Sequence, residues 1–296
     1  METTFEDRVA GLPRTFPAPP LPLRCSSTMD LFSVRVEGAE TVYACEGTLD
    51  RPPLVFLHGW GASLKFWKWQ FGAFSPRWRC VAPDLPGFGL SAKPRRDYSM
   101  EALARWVESF LDALGLGRVT LVGHSMGGTI ALLFALSRPG RVERLAVSNP
   151  VVQGPTAFSR ETRLLMLPGL RRLTYALAHL SWVRRWATRD FSFVQNLDRE
   201  LAGDIVRGTF RSMTETYRSI SRLDLVPRLG SLAVPALAIG TDLDRVVAPG
   251  QHELIPAARK VLIPKTGHIP LVERPAEFNR ALDEFLRLPG TPAVVS

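Results

Sequence analysis

The chain has 296 residues, 46 % of them hydrophobic and 22 % charged, enough apolar material for a large core and too little polarity for wholesale disorder. Its net charge of +9 favours acidic ligands or an anionic surface, but no run of five like charges and no recognition motif occurs, so nucleic acid is not an expected partner. Three cysteines, Cys25, Cys45 and Cys80, stand at no metal-like spacing; the odd count excludes a disulfide framework and fits a reducing compartment.

In chain order, residues 1–30 carry early acids and many prolines and lack the basic start and apolar run of a signal peptide. They read as an extended or poorly ordered arm. No apolar run approaches the roughly 20 residues of a membrane helix, and a cytoplasmic location is expected. Residues 31–47 read as two short strands turning at Gly38 and Ala39. Residues 53–58 form a continuous apolar run, the pattern of a strand buried on both faces. A helix over 66–74, a strand over 79–83 and a helix over 99–114, capped by Ser99 and ended by Gly115, come next. A strand over 118–122, a buried helix over 129–137 and a strand over 142–147 complete the first half. This alternation predicts an α/β fold with a mostly parallel sheet covered on both faces.

The rhythm stops at Pro150. Residues 151–226 read as several helices, broken near Pro168-Gly169, Ser181, Gly203 and Pro227. Strands resume over 235–240 and 260–264, before a closing helix over 275–288. The expected organisation is therefore a core of residues 31–150 and 227–290, interrupted after the sixth strand by a helical insertion of 151–226.

Between the strand at 118–122 and the helix at 129–137 lies VGHSMGG, which contains Gly123-His-Ser-Met-Gly127. A strand that turns this sharply into a helix strains the central serine and presents its hydroxyl, and glycines at the flanks remove side chains that would collide. A serine hydroxyl needs a base to take its proton and an acid to orient the base. Downstream of Ser125 stand His179, His252 and His268; only His268 follows a buried strand, on a loop beyond its carboxyl end. The acid belongs after the preceding strand, where Asp242 and Asp244 compete, and the residues alone do not separate them. Oxyanion donors would be the N–H of Met126, the residue after the serine, and of Trp60, in the glycine-rich HGWG loop. His58 and Asp84 read as packed loop and turn residues rather than chemistry.

Taken together, HGWGASLKFW, DLPGFGLS, VGHSMGG, DRVV and GHIPLVERPAEF, in this order and spacing, resemble the α/β-hydrolase superfamily from Val42 to the closing helix. The resemblance implies a sheet of the eight-stranded type, with Ser125 as nucleophile, His268 as base, and Trp60 and Met126 as oxyanion donors. DRVV resembles the family's acid loop and favours Asp244, although three residues separate it from Gly240 where the family usually has two. Members with an aspartate nucleophile, such as dehalogenases and epoxide hydrolases, are disfavoured by Ser125. Neither a metal nor an organic cofactor is implied.

The insertion holds twelve arginines against seven acids, a surplus of five. As a cap it would line a pocket with apolar side chains, Met166, Trp182 and Trp186, with Trp67 beside the HGWG loop, a residue that reads equally as a core aromatic. The expected activity is cleavage of a carboxylic ester of a small molecule through an acyl-enzyme. Thioesterase, acyltransferase or perhydrolase chemistry at the same serine is the alternative. A third reading is a non-catalytic protein binding anionic ligands, or an anionic membrane surface, through its basic cap. Oligomeric state is not legible.

Overall fold

A computed structural model describes residues 29–158, 160–178, 180, 201, 204 and 207–288 of the chain. All but the last two residues of the expected N-terminal arm lie outside these, as do Trp182 and Trp186.

Eight strands form one sheet: β1 (Leu31–Val36), β2 (Ala39–Glu46), β3 (Pro53–Leu57), β4 (Arg79–Pro83), β5 (Val119–His124), β6 (Val142–Ser148), β7 (Ala236–Thr241) and β8 (Ala258–Ile263). Their spatial order is β1-β2-β4-β3-β5-β6-β7-β8. Pairs involving β2 are antiparallel; from β4 to β8 all pairs are parallel, as the alternation of strands and helices predicts. The β1–β2 turn falls at Glu37 and Gly38, one residue earlier than the sequence reading. Both take positive φ, 48° and 79°, which is what a two-residue hairpin loop requires.

Among the described residues the helices are α1 (Lys68–Phe74), α2 (Met100–Ala113), α3 (Met126–Ser137), α4 (Gly154–Ala157), α5 (Arg160–Leu165), α6 (Arg171–Ala178), α7 (Phe210–Ile220), α8 (Pro270–Glu273) and α9 (Pro275–Leu286). Ser99 caps α2 as expected, accepting the Ala102 N–H. The helix expected over 66–74 is instead two pieces. Ser63 accepts the Lys65 N–H and starts a 3₁₀ turn at Leu64–Trp67, and α1 then begins at Lys68.

Side chains on successive strand positions supply opposite faces. Val55 and Leu57 of β3 pack with Trp106, Phe110 and Ile130 of α2 and α3. Leu54 and Phe56 pack with Trp67, Phe71 and Phe278 on the other side. Trp106 and Phe110 stack at 5.3 Å and 15°, worth about 1 kcal/mol beyond the area they bury. Helix α3 is buried around its whole circumference from Met126 to Ala135, so the residue just before it is held at a fixed point of the core.

The chain between β6 and β7 carries α4 to α7. It meets the core through isolated bridges pairing Phe88 with Gly208 and Phe158 with Val247, while a third bridge, Gln153 with Asp224, ties its two ends together. A further link is made by Trp60, whose Nε1 donates to Met213 O and Thr216 Oγ1 of α7, each at 3.0 Å. The carboxyl ends of β5, β7 and β8, and the loop after β3, converge beneath α7.

Candidate active site

Ser125 stands between the end of β5 and the start of α3 with φ 52° and ψ −119°, a backbone conformation that side-chain-bearing residues rarely adopt. Its N–H donates to Ser148 O at 2.8 Å, and its carbonyl accepts the Thr129 N–H at 3.0 Å. The turn fits only because position 127 has no side chain: a Cβ there would lie 2.2 Å from Leu57 O. The HGWG loop closes on the turn equally tightly, and a Cβ on Gly59 would lie 2.8 Å from His124 Nδ1.

From this serine a straight relay of side chains runs to the acid loop. His268 Nε2 is 3.0 Å from Ser125 Oγ, and its Nδ1 is 2.7 Å from Asp244 Oδ2. The other oxygen, Asp244 Oδ1, accepts the N–H groups of Val246 and Val247 at 2.8 and 2.9 Å. The structure brings Asp244 and not Asp242 to His268; Asp242 is exposed and accepts the Thr266 N–H. The serine hydroxyl, expected to stand exposed, is buried, because the Gly59 loop lies against its Cβ; the three residues are 6 %, 7 % and 7 % exposed. Burial strengthens every charge interaction among them.

The N–H groups of Trp60 and Met126 have no hydrogen-bond acceptor among the described residues, and Met126 opens α3, where N–H groups point out of the helix. Trp67 is placed elsewhere than the sequence reading put it. It is fully buried on the far face of the sheet, 5.0 Å from the Phe56 ring and 6.2 Å from Phe278, because the 3₁₀ turn directs it inward. Met166 lies on the insertion, in the loop between α5 and α6. Among the described residues, no group of three His, Cys, Asp or Glu side chains is placed to hold a metal ion, and no helix is long and apolar enough to cross a membrane.

Several residues around the relay escaped the sequence reading. The His268 carbonyl accepts His124 Nε2–H at 2.8 Å and Asn149 Nδ2–H at 3.0 Å. The carboxylate of Glu273 accepts the N–H groups of Gly267 and Ile269, at 2.9 and 3.0 Å, bracketing His268 on both sides. The signal was present in GHIPLVERPAEF: a glutamate in the first turn after the histidine can fold back on the loop N–H groups, as in a helix cap.

Two buried histidines are held neutral. His58 donates through Nδ1 to Gly59 O and accepts the Leu85 N–H at Nε2, so its 4.0 Å approach to Asp84 is not an ion pair. Burial lowers its pKa from 6.5 to about 4. Burial, together with the neighbouring His268, lowers that of His124 to about 3. Asp84 is a buried cross-link rather than a turn former, accepting the Leu64 and Leu90 N–H groups at 2.7 and 2.6 Å, and burial raises its pKa from 3.8 to about 6. The signs oppose. Each histidine contributes stability present above pH 6.5 and lost as pH falls, because the unfolded chain takes up a proton the folded one refuses. Asp84 holds a proton in the folded state that the unfolded chain gives up, and offsets one of them. These three groups together take up about one proton on unfolding between pH 6 and 4, a contribution of about 1.4 kcal/mol per pH unit. Urea titrations are expected to give an unfolding free energy about 2 kcal/mol lower at pH 4.5 than at pH 6.5. A flat profile would mean that at least one of these rings is in contact with water.

Comparison with known proteins agrees with the fold. A family model described as the alpha/beta hydrolase fold matches residues 52–275. The chain is 28 % identical to epoxide hydrolase 3 of Xenopus tropicalis, over 83 % of this chain and 74 % of that protein. It is 30 % identical to a pimeloyl-[acyl-carrier protein] methyl ester esterase of Nitrosomonas europaea, over 80 % of this chain and 97 % of that one. Among solved structures it is similar to a membrane phospholipase A, a bacterial virulence factor, with 29 % identity and a TM-score of 0.75, covering 88 % of this chain and 86 % of that one.

Proposed function

The chain belongs to the α/β-hydrolase family, and from that premise we propose that it is a serine hydrolase that cleaves a carboxylic ester of a small molecule through an acyl-enzyme. One observation carries the reading: Asp244, His268 and Ser125 form a continuous hydrogen-bonded line, 2.7 Å and 3.0 Å per link, ending on a serine in a strained turn. A protein that only bound its ligand would need none of these links. Epoxide opening of the kind disfavoured from the sequence would need a carboxylate where Ser125 stands.

In this reaction Ser125 Oγ attacks the ester carbonyl while His268 Nε2 takes its proton. The charge that develops on the carbonyl oxygen falls to the N–H groups of Trp60 and Met126. Asp244 keeps the His268 proton on Nδ1, which leaves the Nε2 lone pair facing the serine. Collapse of the tetrahedral species breaks the bond to the alcohol, which leaves with the proton held on Nε2. A water then gives its proton to Nε2 as it attacks the acyl-enzyme; collapse of the second tetrahedral species breaks the bond to Ser125 Oγ, which takes that proton back as the acid leaves. Each proton is accounted for by these side chains, and no metal or organic cofactor enters.

Covalent labelling tests this directly. A fluorophosphonate is expected to mark the wild-type protein, to leave Ser125→Ala unmarked, and to react with His268→Ala at under about a thousandth of the wild-type rate. Failure to label the wild type where a control esterase reacts would remove the reading.

A further inference from the structure

A candidate second site lies on the insertion. A cleft of about 340 Å³ opens between the loop after α5, the start of α6, and the outer face of α7. One wall carries Arg171, and the other carries Arg218 and Arg222, with Tyr217 between them and Met166 as an apolar patch. Three guanidinium groups thus face one cleft, and none of the residues that line it is acidic. Among the described residues, two acids of the insertion are engaged elsewhere: Glu215 pairs with Arg211 at 2.8 Å, and Asp224 accepts from Gln153 and from the Val226 N–H. Among the described residues, none of the three arginines has an ion-pair partner, and Arg171 Nε is buried without a hydrogen bond. The hydroxyls of Thr214 and Ser221 donate to the carbonyls of Phe210 and Arg218, so the donors left for a ligand are the guanidinium groups and the Tyr217 hydroxyl. Three arginines with no ion-pair partner among the described residues, lining one concave space, suit an anion between them.

Position ties the cleft to the relay. The Tyr217 ring lies 6.4 Å from the Trp60 ring and 5.2 Å from that of Phe158. Trp60 belongs to the loop assigned to the oxyanion. Phe158 bridges Val247, whose N–H donates to Asp244. One tyrosine therefore separates the arginines from both halves of the active site. Packing of Tyr175 on Phe210 at 5.4 Å, and of Arg172 over the same ring, sets the distance between the two walls.

We propose that this cleft is an anion subsite of the active site, taking a phosphate or carboxylate carried by the substrate while its ester lies over Ser125. The proposal rests on the reading of Ser125 as an ester nucleophile, and narrows it to acidic esters. A guanidinium fork matches the planar carboxylate and the phosphate alike, and the two are separated by experiment.

The full-length protein would be assayed at low salt with three 4-nitrophenyl esters of matched length: pentanoate, the glutarate monoester, and 4-phosphonobutanoate. Inorganic phosphate and glutarate would be titrated in parallel by calorimetry. The wild type is expected to prefer one charged ester over the neutral one by about tenfold or more in kcat/KM, and the identity of that ester tells carboxylate from phosphate. In R218Q, and in the R171Q/R218Q double variant, the charged-to-neutral ratio should fall towards one, with the corresponding anion no longer binding. R228Q removes an exposed arginine outside the cleft and should leave the ratio unchanged, which separates a site from the general field of a basic protein. A ratio near one in the wild type, or one lowered equally by R228Q, would overturn the proposal, as would absence of binding by both anions. Arg218-dependent binding of an anion by a protein that neither labels at Ser125 nor turns over any ester would uphold the anion site and remove the ester reading instead.

Discussion

Replacing Asp244 by asparagine is expected to lower kcat of the proposed hydrolysis about 10⁴-fold, with little loss of stability, as for the equivalent change in serine-protease triads. The reason lies in the two N–H groups already aimed at this side chain. Val246 and Val247 both donate to Oδ1, so an asparagine must keep its carbonyl oxygen there and turn its NH₂ towards His268. An NH₂ can only donate, which forces the proton off His268 Nδ1 and onto Nε2. Nε2–H then faces Ser125 Oγ across the 3.0 Å contact, and the ring can no longer take the serine proton. Asp242→Asn is the control: an exposed side chain that accepts backbone N–H groups of its own loop and of Lys265 and Thr266 but does not touch His268, it should change kcat less than about threefold. Steady-state kinetics of the two variants decide it. Comparable losses in both, or a loss in Asp242→Asn alone, would mean that Asp244 does not orient the base.

That pair also marks where the sequence stopped being readable. The strands β3 to β7 are short apolar runs because both faces of each are covered, and burial of this kind is written locally. The serine turn is likewise local: it needs missing side chains at fixed offsets, and Gly123 and Gly127 supply them. Choosing between Asp242 and Asp244 depends on which carboxylate receives the N–H groups of Val246 and Val247, a matter of loop path rather than composition. Glu273 and Asn149 act on His268 across gaps of several residues or another strand, and their residue types suit many ordinary turns. Trp67 misled for the opposite reason. An aromatic beside the HGWG loop suggests a pocket wall, yet one 3₁₀ turn sends it through to the opposite face, against Phe56 and Phe278. The arginine surplus of the insertion was visible as a count, but a count does not say that Arg171, Arg218 and Arg222 share one cleft.

Ser125→Gly is expected to abolish turnover and to make the protein more stable than Ser125→Ala by about 1 kcal/mol. Both variants lose the nucleophile; only the glycine relieves the backbone. At φ 52° and ψ −119° a Cβ is crowded, at a cost of about 1–3 kcal/mol, and the alanine keeps that cost. Against this, glycine widens the unfolded ensemble, which returns roughly 0.5–1 kcal/mol. The difference should therefore be positive but modest, and measurable as a higher urea midpoint at unchanged slope. The strain persists because its surroundings leave no exit. The Ser125 N–H is fixed to Ser148 O, its carbonyl to Thr129, and the helix that follows is buried on every side. Relaxing the turn would break those bonds and carry Oγ away from His268. The hydroxyl is thus delivered to the base by the fold's stability rather than by its own preference, and the site is less stable than the scaffold around it. Equal stabilities for the glycine and alanine variants would show that Ser125 stores no strain, and the alignment of the relay would then have to come from the loops carrying Asp244 and His268 alone.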